Sequence, residues 1–442
     1  MSERETWATR PGFVLAAIGS AVGLGNLWQF PFKTATNGGA AFVAFYLVAV
    51  VLIGFPAMLA EFVLGRRTNV NAVDAFAKLG HRKWRATGAL AVLTGFWILS
   101  YYNVVGGWVL RYILGSARGA YFADPAGYFG AVSSGPEAVL AQALFLTLVV
   151  GIVALGIEDG IEAATKLMVP SILVLMVGLA VWVTTLPGAG AGYDFFLSPD
   201  LNGMVANAGS IIPFAVGQAF FTLSLGMAIM VTYSSYVGGE DNLVVDGGAI
   251  VVTNTLVGIL AGLVVFPILL TIGAEVTTGT GGAGALFVAT AAGFGSVPFG
   301  RLFGVVLIAA LSSAISLLEV TVAYANDNYD VPRTVLAPAV GVALFLVGLP
   351  SAWDTAWLTW FDSVAYQLFL PLSVLATTIF VGWVLGSDAV AELREGTSGL
   401  GAGGDAWLWT LRVVVLVAVL ATLALGINEL FLVEDGAFFA PF

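Results

Sequence analysis

Long stretches of this chain carry no charged residue at all, among them these eleven: 11–32, 34–60, 86–110, 138–157, 167–193, 201–239, 247–274, 302–318, 334–353, 363–387 and 413–428. A helix that crosses a hydrocarbon core needs roughly 17–25 mostly apolar residues. One span per stretch gives eleven spans. Stretch 201–239 is read as one long helix behind a loop-like lead-in, "SPDLNG". The short stretches 302–318 and 413–428 must recruit flanking residues. Only 10% of the 442 residues are charged and mean hydropathy is +0.97, against about 25% charged in soluble domains. The expected class is an all-α membrane protein.

Lysine and arginine give the orientation. Arg4 and Arg10 precede span 1, and Arg66, Arg67, Lys78, Arg82, Lys83 and Arg85 crowd the connection between spans 2 and 3. The opposite side holds Lys33, Arg111, Arg118 and Arg301. That asymmetry predicts a cytoplasmic N-terminus, and an odd number of spans then predicts an extracellular C-terminus, in the plasma membrane. "MSERETWATRPGF" leads straight into span 1, so no cleavable leader is expected. Cysteine is absent, which removes disulfides and thiolate metal sites. The one histidine, His81, lies in the basic connection and reads as a solvated loop residue. No nucleophile–base constellation and no H-E-x-x-H motif suggests an enzyme. Net charge is −11, with acids gathered in loops such as "GEDN" and "NDNYD", a composition like that of a halophile; nucleic acid is not an expected partner.

Span 1 contains "GSAVGLGNLWQFP" at 19–31, weak helix formers at membrane depth. Irregular backbone survives there only where it is buried in protein or lines a cavity. Unwinding frees amides, which attract an anionic group, and carbonyls, which attract a cation. Glycine permits the close approach of a ligand. Close helix packing through small residues would explain Gly12, Gly19 and Gly23 equally well, but not Asn26, Gln29 and Pro31 directly after them. "AFFTLSLGMAIM" at 219–230 marks a second break, in span 6. Interrupted segments at matching positions of two halves point to a transporter site. The expected organisation is a cytoplasmic tail (1–10), a first five-helix repeat (11–200), an inverted second repeat (201–387), and span 11 with the C-terminal tail (388–442). "GTGGAG" at 279–284 fits a dinucleotide fingerprint but lacks the strand–helix context, and is read as a flexible loop.

On "WATRPGFVLAAIGSAVGLGNLWQFPF", "NGGAAFVAFY", "VGQAFFTLSLGMAIMVTYSSYV" and "LSSAISLLEV" the chain resembles the neurotransmitter:sodium symporters, specifically their prokaryotic amino-acid branch, from Arg4 to about residue 386. The resemblance implies a five-plus-five inverted repeat with discontinuous helices 1 and 6. It implies a substrate carboxylate on the Leu24 and Gly25 amides and the Tyr102 hydroxyl. The substrate ammonium meets carbonyls of Ala21, Phe221 and Thr222 and the Ser224 hydroxyl. The side-chain pocket includes Ile98, Tyr102, Phe221, Met227, Ser316 and Leu317. Two sodium ions are implied. One takes Ala21, Asn26, Thr222, Asn254 and the substrate carboxylate, and the other takes Gly19, Val22, Ala309, Ser312 and Ser313; such oxygens suit hard cations. Outer closure uses Tyr102 with Phe221, plus Gln29 and Asp362. Inner closure uses Arg4 with Asp327, supported by Trp7, Tyr236 and Glu319. Chloride is expected beside Tyr46, Gln218 and Thr222, because the span 7 position where some relatives place a glutamate is Gly258.

The function implied is a sodium-coupled symporter importing apolar or aromatic amino acids by alternating access, with an amino-acid substrate and membrane lipid as partners. A proton-coupled permease of the same fold and a non-transporting amino-acid receptor are the alternatives. Local readings stand beside the functional ones. Ser312 and Ser313 could bond to helix carbonyls one turn back. Glu61, an ionisable residue inside span 2, either organises the unwound part of span 1 or reaches for the interface. The sequence departs from many relatives at Gln29 (arginine), Met227 (aromatic; methionine suits an adaptable pocket) and Glu319 (glutamine).

Overall fold

The computed structural model describes residues 6–239, 241–271, 287–288, 303–397, 400–433 and 438. Arg4, Arg301 and the 279–284 loop lie outside them. Every regular element among the described residues is helical. Among the described residues nine helices are long and apolar enough to cross a membrane: Ala40–Thr68, Arg82–Arg118, Pro136–Val153, Ile157–Val183, Leu243–Thr271, Gly304–Asn328, Arg333–Trp353, Thr355–Leu385 and Gly403–Leu432. A tenth is the bent pair Arg10–Ala21 and Gly25–Thr36, which turns by 40° at its break. We number them as spans 2–5, 7–11 and 1. Span 6 differs from the single helix expected of 201–239: Ala208–Thr222 is too short to cross by itself, and Ile229–Ser234 follows after a break. The expected loop before it contains the helical turn Leu201–Ala206, capped where Asp200 accepts from the Asn202 amide at 3.1 Å. The two short stretches do recruit neighbours, growing to Gly304–Asn328 and Gly403–Leu432.

Glycine sets how closely the helices pass. A Cβ on Gly107 of span 3 would collide with the span 4 backbone at Ala141 and Gln142. One on Gly348 of span 9 would overlap the Ser100 carbonyl of span 3. One on Gly65 of span 2 would overlap the Val231 carbonyl of the second half of span 6. Spans 1 and 6 are thereby enclosed: Ala16, Ala17, Ala219 and Phe220 are fully buried. By contrast spans 4, 5 and 11 show exposed apolar faces, among them Leu140, Leu167, Val174 and Val417, as lipid-facing surfaces do.

Candidate functional site

The two breaks lie against each other. Span 1 loses helix after Ala21 and resumes at Gly25; span 6 stops at Thr222 and resumes at Ile229. The Gln218 amide donates to the Gly25 carbonyl at 3.0 Å, and the Ser20 and Ser224 hydroxyls meet at 3.1 Å. In span 6 the chain turns through left-handed angles at Ser224 (φ 55°), Gly226 (φ 74°) and Ala228 (φ 61°). The Gly226 amide, released by that turn, donates to Glu61 Oε1 at 2.7 Å. Glu61 is 3% exposed, so it does not reach an interface; its partner is the break in span 6, not span 1.

Between the breaks is a small cavity lined by Ser20, Ala21, Gly23, Gly25, Ile98, Tyr102, Phe221, Ser224, Met227, Ile229, Ser313 and Leu317. Seven of the expected substrate residues line it: Ala21, Gly25, Ile98, Tyr102, Phe221, Ser224 and Met227, with Leu317 as an eighth. Leu24 faces it through its amide, which donates to the Tyr102 hydroxyl at 3.2 Å. Ser316 does not line it: its hydroxyl accepts from Tyr233 at 2.7 Å and donates to the Ser312 carbonyl at 3.1 Å. Sequence reasoning missed Ile229. Its signal was weak, one isoleucine directly after the break. Gly23 has a steric reason to be glycine, since a Cβ there would overlap Ser313 Oγ and come within 3.1 Å of the Tyr102 hydroxyl.

Two groups of neutral oxygens adjoin the cavity. In the first, Asn26 Nδ2 donates to the carbonyl and to Oδ1 of Asn254, each at 2.9 Å, and Thr222 Oγ1 donates to the same Oδ1 at 3.3 Å. That Oδ1 lies 3.0 Å from the Ala21 carbonyl oxygen and 3.2 Å from the Thr222 carbonyl oxygen, with no proton between them. A cation would relieve that crowding, as would an amide turned over, and the donors are hard oxygens suited to sodium. In the second group Ser312 Oγ donates to the Ala309 carbonyl at 3.0 Å and to the Val22 carbonyl at 3.3 Å. Ser313 Oγ crosses from span 8 to donate to the Ser20 carbonyl at 2.8 Å, so it is not bonded within its own helix. Gly19 packs against Ser312, Thr165 and Val169.

The sodium:neurotransmitter symporter family model matches residues 4–121 and 133–434. The chain belongs to the sodium:neurotransmitter symporter family. It is 36% identical to the sodium-dependent transporter YhdH of Bacillus subtilis, over 95% of this chain and 97% of that protein. It is also 36% identical to the sodium-dependent transporter MJ1319 of Methanocaldococcus jannaschii, over 88% and 84%. The crystal structure of MhsT in complex with L-phenylalanine superposes with a TM-score of 0.87 at 38% identity, covering 96% of this chain and 99% of that one. The chain is therefore a secondary transporter of the sodium-dependent class and not an enzyme, and it is a multi-pass membrane protein.

In this symporter the N-terminal end of span 1 is tied down heavily. Trp7 Nε1 donates to the Tyr233 carbonyl at 2.9 Å, and the Trp7 ring meets Tyr233 and Tyr236 edge-on at 5.1 and 6.0 Å. The Tyr236 hydroxyl donates to Glu319 at 2.9 Å. Arg333 holds the same carboxylate with two nitrogens, at 2.5 and 2.7 Å. Asp327 accepts from the amide and side chain of Asn71, at 2.9 and 3.0 Å. At the opposite end, Asp362 accepts from the Tyr101 hydroxyl at 3.0 Å, while Lys33 stands over the Tyr366 ring at 4.8 Å. Gln29 is buried with its Oε1 unpartnered. Tyr101, Lys33 and Arg333 were not read as site residues, because nothing in their spacing sets them apart from packing or solvated residues.

Proposed function

We propose that the chain imports apolar or aromatic amino acids together with sodium by alternating access. The observation that carries this reading is the adjoining of the cavity and the Asn26–Thr222–Asn254 oxygens, which share the Ala21 backbone. A substrate carboxylate accepting from the Leu24 and Gly25 amides and the Tyr102 hydroxyl also completes the oxygen set around a first sodium, so each solute raises the affinity of the other. The ammonium takes the Ala21, Phe221 and Thr222 carbonyls and the Ser224 hydroxyl. A second sodium takes Gly19, Val22, Ala309, Ser312 and Ser313. Chloride beside Tyr46, Gln218 and Thr222 balances the cations. Each charge moved down a 100 mV potential supplies about 2.3 kcal/mol.

Residues 11–200 and 201–387 act as inverted repeats, with span 6 crossing as a second broken helix and both spans 1 and 6 rearranging. The N-terminus is cytoplasmic and the C-terminus extracellular. Tyr102, Phe221, Gln29 and Asp362 close the outer side. Arg4, Trp7, Tyr236, Glu319 and Asp327 close the inner side. The apolar wall formed by Ile98, Met227, Ile229 and Leu317 suits a hydrophobic side chain, and the phenylalanine held by MhsT supports that class.

The test is binding to the purified protein, and uptake into proteoliposomes, of phenylalanine, leucine and tryptophan in sodium and in choline. Binding and uptake only in sodium are expected. Equal uptake in choline would favour a proton-coupled permease, and binding without uptake a receptor. Tryptamine should not bind, since it lacks the carboxylate that completes the sodium shell; affinity equal to that of tryptophan would overturn the assigned pose.

A further inference from the structure

The turn between spans 10 and 11 lies on the same side of the bundle as the basic connection between spans 2 and 3. Arg67, in the last turn of span 2, donates to the Asp388 carbonyl and carboxylate at 3.1 and 3.2 Å, just after span 10 ends at Leu385. Arg412 stands beside this corner, the last charge before the uncharged stretch 413–428 of span 11. Its Nε donates to the Gly382 carbonyl of span 10 at 2.7 Å. Its guanidinium carbon stands 6.0 Å from the Trp383 ring centre and 5.7 Å from that of Trp409. Nη1 and Nη2 have no acceptor among the described residues, and no described carboxylate pairs with them. Gly386, at φ 53°, adjoins Nη2 without covering it: a Cβ there would stand 3.4 Å away. Both tryptophans are exposed, Trp383 by 46% and Trp409 by 62%. Val413, Val417 and Leu420 continue that exposed apolar surface deeper along span 11.

We propose that Arg412, between Trp383 and Trp409, binds the phosphate of an anionic phospholipid in the leaflet on the side of the basic connection. A cation on a lipid-facing surface is costly unless something compensates it. The Gly382 carbonyl and the two rings orient the guanidinium, but they do not cancel its charge. What remains free is a planar fork of N–H groups, and a phosphate accepts from such a fork with two oxygens at once. The flanking indoles belong at the level of the headgroups, and the valines and leucine below them suit acyl chains. The order of groups along span 11 is thus the order of groups along a phospholipid. Free phosphate would use the fork alone, and an acidic peptide would leave the apolar strip bare. Anionic lipid is also drawn to a side rich in lysine and arginine. The site goes beyond the transport reading, since it requires only that the chain spans a membrane.

The test uses the purified full-length protein in a neutral detergent, titrated with phosphatidylglycerol or phosphatidylcholine, with the retained lipids counted by native mass spectrometry. The parent should hold phosphatidylglycerol the more strongly. Arg412→Gln should weaken phosphatidylglycerol about fivefold, the scale of one basic residue at an anionic surface, and bring it near the level of phosphatidylcholine. Arg412→Lys keeps the charge and gives up the fork, and should fall between. Trp409→Leu keeps the charge and removes one ring, and should weaken phosphatidylglycerol about twofold. Lys83→Gln removes a charge from an exposed residue of the basic connection and should change neither lipid. Equal phosphatidylglycerol binding by the parent and Arg412→Gln would overturn the site. Equal losses in Arg412→Gln and Lys83→Gln would overturn it too, since they would mean diffuse attraction to a basic surface. Displacement of the lipid by inorganic phosphate alone would overturn the choice of a lipid. If Arg412→Gln fails to fold, the Arg412→Lys and Trp409→Leu titrations still decide.

Discussion

The breaks in spans 1 and 6 lie side by side, yet different chemistry holds each of them open. In span 1 the loosened backbone is met by neutral groups: the Leu24 amide by the Tyr102 hydroxyl, the Gly23 amide by Asn26 Oδ1 at 3.3 Å, the Val22 and Ser20 carbonyls by Ser312 and Ser313. Each of those hydroxyls and amides can turn to a ligand instead. In span 6 the chain passes through three left-handed residues, and the freed Gly226 amide is held by a buried carboxylate. A ligand cannot easily replace that contact. The first break is built to exchange partners, the second to keep its shape. Substitutions at the two breaks should therefore fail differently.

The largest effect is expected at Glu61. Glu61→Ala strands the Gly226 amide and opens a cavity, costing about 3 kcal/mol of stability. Thermal unfolding in detergent should show a markedly lower midpoint, with substrate binding lost. Glu61→Gln keeps an acceptor for Gly226 and should recover most of the loss. If glutamine is as harmful as alanine, the negative charge matters more than the shape of the turn.

At the first break the expected damage is smaller and specific to the ion. Ser313→Ala removes one hydroxyl from the oxygens proposed for the second sodium, a loss on the scale of one polar contact, about 0.5–1.5 kcal/mol, or roughly two- to tenfold in an equilibrium constant. Apparent sodium affinity should weaken by that factor in transport assays. Ser313 also lines the cavity, so phenylalanine binding is compared at saturating sodium, where it should change less. An unaltered sodium dependence would reduce Ser313 to an interhelical tie.

Both breaks were legible in the sequence: asparagine, glutamine and proline follow the glycines of span 1, and a glycine among hydroxyls interrupts span 6. Most of the cavity wall was named through the family resemblance, not through spacing, since the same aromatic and aliphatic residues would otherwise read as core. What stayed hidden were contacts between residues far apart in the chain. Glu61 and Gly226 are 165 positions apart, and Arg10 and Asp246 are 236 apart. A hydrophobic pattern reports which face of a helix is buried, and says nothing about which helix covers it. Ser316 shows the same limit from the other side: the resemblance put it in the pocket, but the Tyr233 hydroxyl takes it away from the cavity.

A third substitution sharpens the contrast in the opposite direction. Ala228 sits at φ 61°, where a side chain costs about 1–2 kcal/mol. Ala228→Gly should stabilise the protein by about 0.5–1 kcal/mol after the extra freedom of the unfolded chain is counted, read as a raised unfolding midpoint. No such gain is available at Val22 in the first break, where φ is −83°. A lower midpoint for Ala228→Gly would mean that the alanine methyl contributes more by packing than it costs by strain.

The smallest effect is expected from the anion. The Tyr46 hydroxyl and Thr255 Oγ1 are buried donors with no hydrogen-bond partner. The side chains of Thr222, Thr255 and Asn254 face the Tyr46 hydroxyl. Thr255 was not among the residues expected there, and it adds a second hydroxyl to the group. Gly258, one turn further along span 7, leaves room: a Cβ there would find its nearest neighbour, Asn26 Nδ2, at an ordinary 3.7 Å. Hydroxyls are donors, and two sodium charges beside a zwitterion leave positive charge that a low-dielectric site strengthens. Chloride among these groups would compensate it. Replacing chloride by gluconate at fixed sodium should weaken substrate binding about two- to fivefold, the scale of one modest hydrogen-bonded contact. Gly258→Glu should remove that dependence by supplying the charge from span 7. Identical uptake in gluconate would instead make Glu61 the compensating charge. The carboxylate that holds span 6 in shape would then also be the counter-ion of the first break, and the division of labour between the two breaks would fall with it.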